Sequence, residues 1–237
     1  MCELSIVTGA SQNHFKSLKQ FLLSVNTSTI KCFVYDLGLN AESAEELKKY
    51  QIEYRLFDYS AYPSYYDIKI NAGEYAWKPA IIYNTMKELI TTDKDRILLW
   101  CDAGNIYKNC NIGALTTHIL QNKLYSPDSN DDVKFWTHPL TRTWFKIGDD
   151  NPILSKQNRN GAIIGFHIND PDIQSFIQTF NNYASIKECI APIGSNRSNH
   201  RQDQAIFTVL YYQFMEKHPS YIITNSNFNI WTHHDCD

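Results

Sequence analysis

Hydrophobic positions change period several times along the chain, and each change marks an element. Leu4-Ser-Ile-Val-Thr8 alternates and is β-rich, and Gly9-Ala-Ser-Gln12 breaks it. Phe15, Leu18, Leu22 and Val25 then recur at helical spacing. Lys31-Cys-Phe-Val-Tyr-Asp36 is a second strand that ends in an acid and runs into Leu37-Gly38. Asn40 stands where it can cap a helix over 41–50, and residues 53–57 form a third short strand. This β-α-β-α-β order predicts an α/β domain, three-layered, with a mostly parallel central sheet flanked by helices.

Residues 59–66 are rich in Tyr and read as a loop. Gly73-Glu-Tyr-Ala-Trp-Lys-Pro79 follows, with Pro79 suited to a first helical turn and Ile82, Met86 and Leu89 on a buried face. Residues 97–101, Ile-Leu-Leu-Trp-Cys, are a short apolar run suited to a buried strand. That run delivers Asp102 to its carboxyl tip, followed by the small residues Ala103 and Gly104. Open α/β sheets present ligand sites at such tips, although an Asx turn ending a strand accounts for the same residues.

A short helix is expected within 107–121. No period is visible from 122 to 156, which holds Phe135-Trp136-Thr-His-Pro139 and Trp144. A loop of that length in a compact domain tends to be functional, so it is assigned to covering or accepting a substrate. Arg159-Asn-Gly-Ala-Ile-Ile-Gly-Phe166 is a glycine-marked strand, where Gly161 and Gly165 suggest close approach of a ligand or another part of the chain. Pro171 opens a helix with Ile173, Phe176, Ile177 and Phe180 as its apolar stripe. Residues 190–199 are a polar loop, and His200-Arg-Gln-Asp-Gln204 opens a last helix with Ile206, Val209, Leu210 and Phe214 inward. The chain ends in Trp231-Thr-His-His-Asp-Cys-Asp237.

Composition narrows the classes. The 237 residues are 43% hydrophobic and 20% charged, enough apolar content for a sizeable core and too much for disorder. The formal net charge of −3, with no Lys/Arg cluster, argues against a nucleic-acid partner. No basic-then-apolar leader and no apolar run of membrane-spanning length is visible. The six cysteines are scattered without CxxC spacing, so they read as reduced thiols in a cytoplasmic protein rather than a zinc site or disulfide framework. Asn26-Thr-Ser and Asn196-Arg-Ser match the glycosylation pattern, which without a leader means little.

Candidate chemistry sits at element ends. The turn after Thr8, Gly9 and Ala10 admits a nucleotide or is an ordinary βα loop; it has neither GxGxxG nor a Walker pattern. Lys78 at a helix N-terminus opposes the helix dipole, so it either faces an anion or a polyol or is simply solvated. Asp203 falls in the first turn of its helix, where the dipole by itself favours a carboxylate. Of the adjacent His233 and His234, at most one can serve a given ion.

Taken together, the early β-turn-α, Asp102-Ala-Gly104, the Asn160-Gly161-Ala162 strand and Arg201-Gln-Asp-Gln204 resemble the GT-A-fold glycosyltransferases that use nucleotide sugars. The series looks most like the glycogenin-type family 8 group. The resemblance implies a single GT-A (Rossmann-like) domain over 1–237. It implies a hexosyl- or pentosyltransferase that moves a sugar from a nucleoside-diphosphate sugar, a UDP-sugar, to a glycan or protein hydroxyl with help from Mn2+ or Mg2+. Asp102 matches the first Asp of the family's metal motif, whereas the second is replaced by Gly104. Asn105, the donor's diphosphate, water and a tail histidine, His233 or His234, are then left to complete the coordination. Lys78 matches a basic residue near the donor sugar, and Asp203 with Gln204 the pair at the reacting face. Thr8, Gly9, Ala10, Asp36, Ala103, Gly104, Asn160 and Gly161 would contact the donor. Aromatics of the 136–144 region, with Tyr62, Tyr65 and Tyr66, are candidates for stacking on acceptor sugars.

Three other readings compete. A nucleotidyltransferase would want a basic first turn, but no Lys or Arg follows Thr8 until Lys16. A haloacid- or response-regulator-like protein needs an acid at the end of the first strand, where Thr8-Gly9 stands. A catalytically degenerate GT-A domain, acting as a sugar- or partner-binding module, is favoured by Gly104.

Overall fold

The computed structural model describes residues 2–90 and 94–236. Its first half runs β1 (Glu3–Ala10), α1 (Phe15–Ser24), β2 (Lys31–Asp36), α2 (Ala41–Leu47), β3 (Glu53–Leu56), α3 (Trp77–Leu89) and β4 (Arg96–Cys101). The second half runs β5 (Ile106–Tyr107), α4 (Ile112–Asn122), β6 (Leu124–Tyr125), β7 (Asp128–Asp132), α5 (Val133–Trp136), α6 (Pro139–Trp144), β8 (Gln157–Arg159) and β9 (Ile163–His167). It closes with α7 (Pro171–Ala184), α8 (Lys187–Ile190), α9 (Gln202–Lys217) and β10 (Ile230–Trp231).

Six strands form the central sheet in the order β3-β2-β1-β4-β9-β6. The first four are parallel, as the βαβ pattern predicts, and β9 runs antiparallel between β4 and β6. Both faces are covered at the centre of the sheet, which is why β4 reads as a continuous apolar run rather than an alternating one. Leu98 and Trp100 of β4 point to the face packed by Ile81 of α3, Phe180 of α7 and Phe207 of α9. Ile97, Leu99 and Cys101 point to the face packed by Leu18 and Phe21 of α1 and Ile119 of α4. Gly165 has the second face at its back: a Cβ there would come within 2.5 Å of Ile119 Cδ1, so its close approach is to a helix.

Local chemistry sets the helix starts. Asn40 Oδ1 accepts from Ser43 N at 2.8 Å, and Asp170 caps α7 ahead of Pro171. The helix expected over 41–50 stops at Leu47, and the one expected within 107–121 begins only at Ile112, after the two residues of β5. The aperiodic stretch 122–156 is not one loop but holds β6, β7, α5 and α6, each too short to show a period. The expected strand 159–166 is two strands, β8 and β9, broken at Asn160-Gly-Ala162. Tyr65 and Tyr66 belong to the core, with Tyr66 stacked on Tyr62, so burial removes those two from acceptor stacking.

All six cysteines are free. Among the described residues no helix is long and apolar enough to cross a membrane.

Candidate active site

From β1 the chain moves outward to β2 and β3, then returns to place β4 on the other side of β1. A crevice opens at such a reversal, outside the carboxyl ends of the strands. It is a cleft of about 880 Å³, the size that takes a small-molecule ligand.

Gly9 and Ala10, at the end of β1, line one wall. The turn beyond them is tied down by Gln12, whose Oε1 accepts from Asn40 N at 2.8 Å and whose Nε2 donates to Ser43 Oγ at 3.1 Å. Asp102, Ala103 and Gly104 leave β4 beside them. Trp100 Nε1, buried beneath, donates to Asp102 Oδ1 at 2.7 Å. Asp102 N donates to Ala162 O at 2.9 Å, which joins this loop to the 160–162 break. In that break Asn160 Oδ1 accepts from Ala162 N at 2.7 Å. A Cβ at Gly161 would press on Gln204 Cβ at 3.1 Å, so glycine lets α9 come close. Gln204 Nε2 donates to Arg159 O at 2.6 Å, fixing the start of α9 against β8.

Lys78 joins these parts. Its side chain is 5% exposed, and Nζ lies 3.1 Å from Asp102 Oδ1, 3.1 Å from Asp203 Oδ2 and 3.1 Å from Gly161 O. It is therefore not solvated: it bridges two carboxylates in the cleft's lining. Burial works against its charge, but Asp102 and Asp203 outweigh burial and raise its pKa. Asp203 is pulled the other way. Burial raises its pKa, Lys78 offsets this in part, and Asp102 adds to the rise. Oδ2 of Asp203 has no hydrogen-bond partner among the described residues, so its contact with Lys78 is an ion pair.

A run of left-handed backbone, Asn71 to Tyr75 with φ between 47° and 65°, precedes Lys78 and brings Ala72 and Tyr75 into the lining. The chain's tail forms the remaining wall. β10 pairs antiparallel with β5, and His234 N donates to Gly104 O at 2.8 Å, so His233 and Asp235 lie against the Asp102 loop. A Cβ at Gly104 would come within 2.4 Å of Asp235 Oδ1. Asp235 in turn faces His14 Nδ1 at 3.6 Å.

The structure thus brings Gly9, Ala10, Lys78, Asp102, Ala103, Gly104, Asn160, Gly161, Asp203, Gln204 and His233 to one cleft. Thr8 and Asp36 are not in its lining. Asp36 is taken up by its own turn, accepting from Gly38 N, Leu39 N and Tyr54 Oη, and Thr8 Oγ1 is buried without a partner among the described residues. Sequence reasoning missed Tyr75, Arg197, Arg201 and Asp235, all of which line the cleft. Only Arg201 carried a signal, the unusual polarity of Arg201-Gln-Asp-Gln204.

The donor set fits a divalent ion poorly. Asp102, Asp203, Asp235, His14 and His233 share the cleft, but no group of three or more His, Cys, Asp or Glu among the described residues is arranged to hold a metal. Asp102 Oδ1 is already taken by the Trp100 indole and the Lys78 ammonium, which sits where a cation would gain most from the two acids. A hard cation wants six or more oxygens.

A sequence profile described as a protein of unknown function, DUF1647, matches residues 2–83, which covers β1 to the first half of α3. Comparison with curated proteins returns no match. Solved structures do match. The galactosyltransferase LgtC, determined with donor and acceptor sugar analogues, is 14% identical with a TM-score of 0.52, covering 87% of this chain and 70% of that one. The glycosyltransferase GlyE of Streptococcus pneumoniae is 12% identical with a TM-score of 0.51, covering 97% and 47%. The bifunctional glycosyltransferase WbbM is 10% identical with a TM-score of 0.53, covering 89% and 38%. This chain therefore spans less than half of the latter two. At these identities the likeness is one of fold: a mixed α/β fold of the GT-A glycosyltransferase type.

Proposed function

We propose that residues 1–237 are one glycosyltransferase domain that moves a sugar from a nucleoside-diphosphate sugar to a hydroxyl acceptor. The observation that carries this reading is Lys78 bridging Asp102 and Asp203 in the crevice between β1 and β4. Glycosyl transfer breaks the bond between C1 of the sugar and the diphosphate oxygen, whose electron pair stays on the leaving diphosphate. A new bond forms from the acceptor oxygen to C1, and the acceptor's proton must leave. Fixed charge near the diphosphate and near C1 lowers that barrier most when it is preorganised and partly dry, as it is around Lys78.

Asp203 is assigned to the sugar end. In an inverting transfer it takes the acceptor's proton, and its raised pKa makes it a better base than an ordinary carboxylate. In a retaining transfer, which the resemblance to the glycogenin-type group favours, it orients the sugar and stabilises positive charge at C1, and the proton goes to the diphosphate. Gln204 and the 160–162 turn border the sugar; Gly9, Ala10 and the 102–104 loop take the nucleotide. UDP-sugars, hexosyl or pentosyl, are the first donors to try, with glycan or protein hydroxyls as acceptors, and the cytoplasm as the compartment.

A second reading rests on Gly104: a binding module that holds a sugar nucleotide without turning it over. The test is nucleotide release from a panel of sugar nucleotides incubated with the protein and simple glycosides. Release from one donor, lowered about 100-fold or more in Asp203→Asn while nucleotide affinity holds, supports transfer. Binding without release supports the module. If Asp203→Asn released nucleotide at the wild-type rate, the assignment of Asp203 would be wrong.

A further inference from the structure

The arginines of this chain fall into two groups, the first of which includes Arg96, paired with Glu3. Arg55, Arg142 and Arg159 each pair with a carboxylate, of Glu88, Asp149 and Asp128 respectively. Arg197 and Arg201, both just ahead of α9 in the chain, line the cleft, and among the described residues neither has a carboxylate partner. Each guanidinium is held by an aromatic ring instead. Arg201 lies 4.0 Å from the Trp136 ring centre, and Arg197 lies 5.5 Å from that of Tyr75 and also donates to Tyr75 Oη. An aromatic face steadies a guanidinium without neutralising it, so the N–H fork of Arg201 stays available to an anion, as do the N–H groups of Arg197 that Tyr75 Oη does not take. Two such forks bring the charge of one divalent ion, and paired oxygens of a phosphate match their geometry.

Where charge for a metal's task is needed, the metal's ligands are short and unneutralised arginines are present. We propose that the donor's diphosphate is held by Arg197 and Arg201, with Lys78 deeper in the cleft, and that this chain binds nucleoside diphosphates without a divalent ion. The inference rests on the glycosyltransferase reading of the same cleft.

Calorimetric titration of the whole chain with UDP, GDP, CDP and inorganic pyrophosphate, first in EDTA and then with Mn2+ or Mg2+, tests it. Pyrophosphate reports the diphosphate subsite whichever base is preferred. The expected result is binding in EDTA that the metals leave unchanged, weakened roughly 10- to 100-fold in Arg197→Ala and Arg201→Ala, as losing a charge-assisted hydrogen bond predicts. Arg201→Lys, which keeps charge and the contact with Trp136 but loses the fork, is expected between wild type and Arg201→Ala. It also serves if the alanine variant fails to melt cooperatively. Binding only in the presence of metal, or arginine variants that bind like wild type, overturns this inference and leaves the glycosyltransferase reading standing. No binding of any probe in either condition overturns both.

Discussion

Lys78 and Asp203 form an ion pair, 3.1 Å from Nζ to Oδ2, that is almost sealed from water, with side chains 5% and 6% exposed. Breaking a buried pair by removing one partner leaves an uncompensated charge, which costs more than the intact pair contributes. Lys78→Met is therefore expected to destabilise the fold by about 3 kcal/mol at neutral pH. Without the ammonium, the pKa of Asp203 rises further above its ordinary value. A carboxyl that the folded state prefers protonated destabilises the fold as pH rises, so Lys78→Met should regain stability on acidification. Adding Asp203→Asn should recover part of the loss at neutral pH. Urea unfolding of the single and double variants at two pH values checks the sign; a Lys78→Met variant as stable as wild type would mean that the pair does not hold the site.

The turn before Lys78 depends on Gly73. Its φ is +65°, and a Cβ there would meet Tyr66 O at 2.3 Å, a backbone atom with little room to yield. Gly73→Ala is expected to destabilise by roughly 2–4 kcal/mol, lowering Tm by roughly 5–10 °C. Ala72, at φ 56° with its carbonyl accepting from Trp77 Nε1 at 2.9 Å, is the opposite case. Ala72→Gly relieves a left-handed conformation and should be neutral or stabilising by up to about 1 kcal/mol. Thermal unfolding of the two variants should move in opposite directions.

What could be read in advance follows from how local each signal is. Asp102 is legible as an acid that ends an apolar run, and Asp203 as an acid in a helix's first turn. Lys78 is legible from Pro79 and the apolar face behind it. That one lysine joins both acids is not legible, because it depends on how α3 and α9 cross the sheet. The parallel half of the sheet shows in the β-α-β-α-β pattern, whereas β6 and β7, two and five residues long, offer no period. Left-handed backbone at Ala72, Glu74 and Tyr75 has no compositional marker, since these residues seldom adopt it. Asp235 was invisible as a site residue because only the β5–β10 pairing carries the tail back to Gly104.

Acid should loosen the entry to α9 through His200. Burial, with the nearby His138 adding to it, lowers the His200 pKa from about 6.5 to about 4. Its Nδ1 accepts from His138 N at 3.3 Å, and Nε2 faces Ile190 O at 2.9 Å, so the neutral tautomer with the proton on Nε2 satisfies both. The unfolded chain takes up a proton below pH 6.5 that the folded chain refuses until about pH 4. Stability from this group is thus complete above 6.5 and lost across that window, about 3 kcal/mol in full. His200→Gln, which keeps one donor and one acceptor, should flatten the wild-type slope between pH 6.5 and pH 4.5 in urea titrations. An unchanged slope would place the acid sensitivity elsewhere.

Asp235 stands where a side chain at Gly104 would begin, so restoring an acid at 104 should not simply rebuild a two-acid loop. Gly104→Asp sets a Cβ against the Asp235 carboxylate and adds a like charge beside it. The His234–Gly104 backbone bond, 2.8 Å, is then expected to open and release the tail. Gly104→Asp alone should lose about 1–3 kcal/mol and speed amide exchange at 232–236. Asp235→Ala alone should lose little, since among the described residues the charged partner of Asp235 is a half-exposed His14. The double variant should be more stable than the sum of the two changes, because truncating Asp235 vacates the space that a side chain at position 104 needs. Coupling energy in that double-mutant cycle of about 1 kcal/mol or more, in the stabilising direction, is the expected outcome. Additive effects would mean that the tail does not rest on Gly104 in solution.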